Sequence, residues 1–226
     1  MCSRYSLTSP AEAVRATFGH INEMAYPARY NIAPTQPVHI VRLDHVRRRE
    51  LALVRWGLIP SWAKQPEKLS TLINARAETA ALKPSFRGAM RHRRCIVPAD
   101  GFYEWIGPAG AKRPHLLRPA AGGPIGLAGL WEHWLGADGS EIETMAILTV
   151  TANSVAARVH DRMPAILAPD AFEAWLDTGS GRTNEAEHLL RPAPDDLLEI
   201  VEVSRKLNNS RNEGQELQEI VGKMLI

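Results

Sequence analysis

Short apolar runs separated by glycine and proline constrain the fold of this chain more than any other feature of its sequence. Each run is four to eight residues long, as strands usually are, and several are rich in β-branched or aromatic residues. Strands joined by such short turns pair antiparallel. The sequence therefore predicts an α+β protein whose core is a mainly antiparallel β-sheet or barrel with flanking short helices. The central runs are Arg94–Pro98, Gly101–Trp105, Pro114–Leu117, Ile125–Trp131 and Thr144–Thr151.

Hairpin and helix signals surround these central strands. Val38–Leu43 and Glu50–Trp56 lie on either side of an Asp-His turn and predict a hairpin. A Ser-Pro pair precedes a predicted capped helix at Ala11–Phe18, which ends at Gly19. The sequence contains no repeat or long linker, so we expect a single domain over residues 1–226. Four further short helices and one late strand are expected, in chain order, at Ala75–Leu82, Ala152–Val159, Asp170–Asp177, Asn184–Leu190 and Leu197–Val203, before a polar end.

Composition excludes several classes of protein. No apolar run approaches the roughly 18 residues that span a bilayer, so we expect no membrane association. Two cysteines cannot form a disulfide scaffold, and the first residues lack the apolar core of an export signal, so we expect a cytoplasmic protein. Glycine-rich nucleotide motifs and the HExxH zinc motif are absent, and the eight histidines lack metal-ligand spacing. We therefore expect neither a cofactor nor a metal.

The two halves of the chain carry opposite charge, although the formal net charge is only +2. Residues 1–118 contain 19 Lys+Arg against 8 Asp+Glu, whereas residues 119–226 contain 8 against 17. Arginine predominates in the first half, and its planar guanidinium binds phosphate and stacks on bases. Arginines interleaved with Trp56, Trp62, Phe86 and Trp105 are typical of a groove for single-stranded nucleic acid. We expect one basic face toward an anionic partner and an acidic face turned away from it.

Cys2 directly follows Met1, and removal of Met1 would convert it into a 1,2-aminothiol. An α-amine has a pKa of about 8 in reference peptides, so a useful fraction is neutral near pH 7. Such a group condenses with an aldehyde to an imine and then closes through sulfur to a thiazolidine. It can also serve as the nucleophile of an amide hydrolase, and an incidental cysteine is a third alternative. Cys95 lies in an apolar strand and is expected to be structural.

Eight short segments form an ordered set of motifs along the chain. They are Met1–Tyr5, Tyr30–Thr35, Trp56–Lys64, Asn74–Thr79, Lys83–Arg87, Arg94–Trp105, Ala128–Glu132 and His160–Pro164. In this order they closely resemble the SRAP family, the SOS-response-associated peptidases or abasic-site-processing proteins. The resemblance extends from residue 1 to about residue 210.

This resemblance implies a protein that binds abasic sites in single-stranded DNA and at single-strand to double-strand junctions. Cys2 would link to the ring-opened sugar as a thiazolidine and shield the lesion, and some family members also cleave the strand or process their own amino terminus. Asn74, Glu104 and His160 are implied as catalytic residues beside Cys2. Ser3 departs from the usual glycine, and its β-carbon could crowd the lesion. DNA contacts are expected at Arg4, Arg76, Phe86, Arg87, Trp105 and Arg162.

The three catalytic residue types suit the condensation of an aldehyde with an amine, which needs an acid for the departing water and a base for nitrogen. Glu104 shares a strand face with Phe102, and an apolar neighbour favours a protonated carboxyl. His160 is expected to protonate the sugar ring oxygen or to assist reversal, with Asp161 facing the opposite side. Asn74 is expected to hold the amine or the sugar. The structural alternatives are a surface strand glutamate, a structural histidine and a turn-capping asparagine.

Two other functions stay open from the sequence. The chain could be an N-terminal-nucleophile cysteine peptidase or amidohydrolase, or a module that binds single-stranded DNA without catalysis. The sequence identifies no protein partner. A monomer is expected because no coiled-coil heptads are present.

Overall fold

Two β-sheets dominate the computed structural model, which describes residues 2–179 and 183–225. The strands within these residues are β1 (Tyr5–Leu7), β2 (Arg29–Ile32), β3 (Pro37–Leu43), β4 (Arg49–Trp56), β5 (Asn74–Arg76), β6 (Arg94–Ala99), β7 (Gly101–Ile106), β8 (Arg113–Pro119), β9 (Ile125–Leu135), β10 (Glu141–Thr151), β11 (Arg162–Pro164), β12 (Ile166–Leu167), β13 (Leu198–Val203) and β14 (Ile220–Leu225).

The helices are short and lie around the sheets. The α-helices are α1 (Ala11–Phe18), α2 (Ala77–Ala80), α3 (Arg87–His92), α4 (Phe172–Leu176) and α5 (Thr183–Glu187). Single 3-10 turns occur at Pro66–Lys68, Ala156–Arg158, Pro169–Ala171, Asp195–Leu197, Arg205–Asn208 and Gln215–Gln218. In the part of the chain that the structure describes, no helix has the length and apolar character needed to cross a membrane.

Five strands close into a barrel. The hairpin β3–β4 continues through β6 to β9 and β10, and β10 pairs with β4 to complete the ring. The β4–β10 pairing is parallel, whereas the other four pairings are antiparallel. The end of β10 also carries β5 and β11, and β12 pairs with β9. The predicted mainly antiparallel, barrel-like core is therefore confirmed.

The second sheet is wholly antiparallel, with the strand order β14-β13-β8-β7-β1-β2. One face packs on the barrel through apolar side chains such as Phe102, Leu117 and Ile200. The opposite face carries Tyr103 and is covered by Leu207 from a 3-10 turn. Alternation along β7 thus directs Phe102 and Glu104 to the barrel side and Tyr103 to the other, as the sequence predicted.

Several local predictions are confirmed almost to the residue. Helix α1 spans Ala11–Phe18, and Gly19 follows with φ of 68°, a left-handed conformation that favours glycine. The predicted hairpin is β3–β4, and the five central runs are β6 to β10. Strand β13 occupies the place of the expected late strand.

Other local predictions need correction. The helix expected at Ala75–Leu82 is reduced to α2, because its first residues pair with β10 as strand β5. The helix expected at Ala152–Val159 is a 3-10 turn. The polar end of the chain contains strand β14. Ser9 does not cap α1, because its hydroxyl donates to the Asp100 carboxylate instead.

Candidate active site

Cys2 lies just before β1, which begins at Tyr5. Its side chain is fully buried and belongs to the same apolar core as the barrel strands. Its Sγ lies 3.8 Å from the carbonyl oxygen of Arg4. Burial raises the pKa of the Cys2 thiol far above its usual range, and the nearby Glu104 carboxylate raises it further. The thiol is therefore protonated at neutral pH in this environment.

Asn74 lies on β5 and contacts Cys2 directly. Its Nδ2 donates a 2.8 Å hydrogen bond to the carbonyl oxygen of Cys2. Its Oδ1 is buried and has no hydrogen-bond partner among the described residues. An acceptor in this position is free to receive a hydrogen bond from an amine or a sugar hydroxyl beside Cys2.

Glu104 lies on the barrel side of β7 and is only 6% exposed. Burial raises the pKa of its carboxyl group, whereas the positive charges of His160 and Lys112 oppose this shift. A carboxyl group with a raised pKa can hold a proton and deliver it as a general acid. Glu104 acts electrostatically on Cys2, and His160 acts on Glu104, so these three groups lie in one region.

His160 follows the 3-10 turn at Ala156–Arg158, so the backbone around it is not extended. Its Nδ1 lies 2.9 Å from the backbone N–H of Arg162, which donates to it, and 2.8 Å from Asp161 Oδ1. The prediction that Asp161 faces the opposite side is therefore wrong. Nδ1 accepts from the Arg162 N–H when it carries no proton and can donate to the Asp161 carboxylate when it carries one.

Arg162 is only 12% exposed in its side chain and is held on several sides. Nη1 and Nη2 donate to the two carboxylate oxygens of Glu78 at 2.6 and 2.9 Å, and Nη2 also donates to the carbonyl oxygen of Thr149. The Arg162 hydrogen bond lowers the pKa of Glu78. A phosphate that binds Arg162 must therefore share or displace this carboxylate.

The remaining predicted DNA contacts occupy different environments. Arg76 and Arg87 are exposed, and neither forms an ion pair with any other residue of the described segments. The Arg4 guanidinium lies 5.7 Å from the ring centroid of half-buried Trp105. Phe86 is only 6% exposed and packs in the core beside α3. Its ring has almost no free face, so the expected base stacking at Phe86 needs correction.

Several residues near the site were not singled out from the sequence. His115 pairs directly opposite Glu104 across β7 and β8, so the two side chains share a face. Asn31 binds Arg4 and the chain segment around residue 208. His115 gives no local sequence signal, whereas Asn31 lies within one of the ordered motifs. Among the described residues, no three His, Cys, Asp or Glu side chains are grouped so that they could hold a metal ion.

Comparison with known proteins decides the family. A family model described as SOS response associated peptidase (SRAP) matches residues 1–210. The chain belongs to the SRAP family. This confirms the family predicted from the ordered motifs.

Several named relatives are similar to this SRAP chain in sequence over most of its length. It is 36% identical over 224 residues to the abasic site processing protein YoqW of Bacillus subtilis (strain 168), which covers 97% of this chain and 99% of the relative. It is 35% identical to the abasic site processing protein HMCES of Gallus gallus, over 87% of this chain and 67% of the relative. It is 32% identical to the abasic site processing protein YedK of Escherichia coli (strain K12), over 96% and 98%.

Solved structures resemble this SRAP chain along nearly all of its length. A crystal structure of a Bacteroides thetaiotaomicron protein superposes with a TM-score of 0.87 at 26% identity and covers 97% of this chain and 100% of that protein. A Bordetella bronchiseptica protein gives a TM-score of 0.78 at 31% identity, with 90% and 100% coverage.

Proposed function

We propose that this protein processes abasic sites in single-stranded DNA by linking Cys2 covalently to the ring-opened sugar. The observation that carries the proposal is the grouping of Cys2 with the amide of Asn74, the buried carboxyl of Glu104 and His160. The relatives YoqW, HMCES and YedK bear the name abasic site processing protein, which supports the same lesion as substrate.

The reaction begins with the α-amine of Cys2, which is freed by removal of Met1. The amine attacks the C1′ aldehyde and forms a carbinolamine. Glu104 donates a proton to the carbinolamine oxygen, which leaves as water, and the nitrogen returns a proton to the Glu104 carboxylate so that a neutral imine results. The Cys2 sulfur then adds to the imine carbon while its proton passes to nitrogen, which closes the thiazolidine. In the net reaction, the aldehyde and the aminothiol combine to give a thiazolidine and one water. No oxidant or cofactor is needed.

The state of the Cys2 thiol supports this order of events. A thiolate is the nucleophile of a cysteine peptidase, and burial of Cys2 together with Glu104 favours the thiol form. An amine-first reaction needs no resident thiolate, because sulfur enters only after the imine has formed. The burial of Cys2 therefore supports aldehyde condensation better than the peptidase or amidohydrolase alternative.

His160 and Asn74 have supporting roles in this proposal. His160, whose Nδ1 contacts the Arg162 N–H and the Asp161 carboxylate, donates to the sugar ring oxygen and so promotes opening to the aldehyde. Asn74 accepts a hydrogen bond from the Cys2 amine at its unpartnered Oδ1. Arg76 and Arg87, which are exposed, contact phosphates of the bound strand in this proposal.

The test compares wild type, C2A and C2S with the matched buried-cysteine variant C95A on a single strand that contains one excised uracil. We expect a denaturation-resistant adduct with wild type and C95A, with a mass equal to protein without Met1 plus DNA minus one water. C2S should give an adduct that is lost on heating, since it lacks the sulfur. An equally abundant and stable adduct with C2A would refute the thiazolidine.

A further inference from the structure

Residues 204–212 form a loop that contains three exposed cations and no acidic residue. The cations are Arg205, Lys206 and Arg211, and none forms an ion pair with any residue in the described ranges. The loop belongs to the half of the chain in which acids outnumber bases by 17 to 8. Its local charge is therefore opposite to that of the surrounding sequence, and we call residues 204–212 the basic loop.

The basic loop is held by one buried asparagine. Asn31 is 1% exposed, and its Nδ2 donates to the carbonyl oxygens of Asn209 and Asn212 at 3.0 Å each. A longer contact reaches the carbonyl oxygen of Leu207 at 3.5 Å, and Leu207 is itself buried. The backbone that carries the three cations is thereby fixed, so little ordering entropy is lost when a ligand binds.

Other hydrogen bonds join the basic loop to the candidate site. Arg4, two residues after Cys2, donates to Asn31 Oδ1 at 2.7 Å and to the carbonyl oxygen of Leu207 at 3.2 Å. The indole N–H of Trp105 donates to Asn208 Oδ1 at 2.7 Å. Trp105 follows Glu104 on β7 but lies on the opposite sheet face with Tyr103 and Leu207, so the basic loop covers that face and reaches the Cys2 segment through Arg4.

We propose that the basic loop binds the phosphodiester backbone of the DNA flank that leaves the lesion on the Trp105 side. Three cations on a fixed backbone match the regular negative charge of a nucleic acid strand. Arg4 and Trp105 form hydrogen bonds with the loop and contact each other, so they extend its surface toward the segment that carries Cys2. This assignment rests on the proposed function only in taking DNA as the partner.

The experiment uses the triple variant R205Q/K206Q/R211Q. Its matched control is K68Q/R91Q/R191Q, which removes the same charge from exposed cations outside the loop and the candidate site that form no ion pair within the described residues. Binding is measured on single strands that contain a tetrahydrofuran abasic analogue, which has no aldehyde. One strand has a long flank only on the 5′ side of the analogue, and the other has it only on the 3′ side. Cross-linking is measured separately on an aldehyde-bearing abasic trinucleotide.

The triple variant is expected to lose about tenfold in affinity for one of the two flanked strands. The slope of log K against log salt should fall by about 0.7 for each lost phosphate contact on a single strand. The control variant and the trinucleotide cross-linking rate should match wild type. Equal losses on both flanks, or a loss no larger than that of the control, would overturn the proposal. Absence of cross-linking in wild type would count against the Cys2 chemistry alone, since the binding measurements do not depend on it.

Discussion

Glu104 illustrates how a single strand position acquires a chemical property. Its side chain lies on the same face of β7 as Phe102, and this face is closed by the barrel. The apolar surroundings disfavour the ionised carboxylate, so its pKa rises despite the nearby charge of His160. In the unfolded chain the same carboxyl titrates normally, and its burial therefore makes protein stability depend on pH.

The first prediction concerns E104Q. The native state holds the Glu104 proton up to a higher pH than the unfolded chain does, so wild type loses stability as pH rises through the interval between the two pKa values. E104Q removes this loss. The Tm of E104Q should match that of wild type near pH 4 and exceed it at pH 8. Each unit of raised pKa corresponds to about 1.4 kcal/mol, which is roughly 3–6 °C in a chain of this size.

Thermal unfolding at several pH values checks this prediction. E199Q on β13 is a suitable control, because it removes the ion pair with Arg118 and should not be stabilised. A difference between E104Q and wild type that stays constant from pH 4 to pH 8 would contradict it.

Strand β1 depends on contacts outside its own three residues. It pairs with β7 on one side and β2 on the other, which places Cys2 beside Asn74 and Glu104. The turn that follows β1 is held by Asp100, whose carboxylate accepts hydrogen bonds from the backbone N–H of Ser9 at 2.6 Å and from that of Thr8. Asp100 thus connects the end of β1 to the β6–β7 turn.

The second prediction is that D100A destabilises the protein by about 2–3 kcal/mol, because hydrogen bonds to a charged acceptor are lost and backbone donors are left behind. Urea unfolding measures this value. D138A is the matched control, since Asp138 accepts from the backbone N–H and hydroxyl of Ser140 in an exposed hairpin turn. It should cost less than about 1 kcal/mol. Equal costs for the two variants would show that Asp100 has no special role.

At the scale of the whole molecule, ion pairs connect the basic first half of the sequence to its acidic second half. Arginines of the first half form ion pairs with acids of the second half, and these pairs remove part of the expected basic face. They are Arg42–Glu143, Arg47–Asp177, Arg93–Glu132, Arg113–Glu202 and Arg118–Glu199. Arg94 is buried and donates to backbone carbonyls near α4. The two-faced interpretation is therefore only partly right, because exposed, unpaired cations such as Arg76 and Arg87 are fewer than the total suggests.

The third prediction follows from this redistribution. The salt dependence of DNA binding should report the contacted phosphates and not the net charge. R76Q/R87Q should lower the slope of log K against log salt by about 1.4, at about 0.7 per contact. D170N/E173Q changes net charge by the same magnitude in the opposite direction, at exposed positions in the 3-10 turn before α4 and in α4, and should leave the slope unchanged. A larger change with D170N/E173Q would favour a long-range effect of net charge.

The sequence by itself determined the family and the central barrel strands, and it proposed the residues of the candidate site. The strands follow from local patterns of apolar residues and turns, and the motifs occur in a fixed order. It missed the short strands β1, β2, β5, β11 and β12, which have too few residues to show a period. It also misjudged Phe86, since an aromatic residue among arginines has the same local pattern whether it is exposed or buried.

Only the tertiary structure decided which charges are available and which residues support Cys2. Arg42 and Glu143 are 101 positions apart, and Asn31 reaches Asn209 across 178. Such contacts depend on the register of strand pairing and on loop closure, which no local pattern encodes. The fold decides whether each arginine is free to bind a ligand and whether Glu104 is buried. The free energy of a charged side chain depends on the residues around it, and the two sheets determine which residues these are.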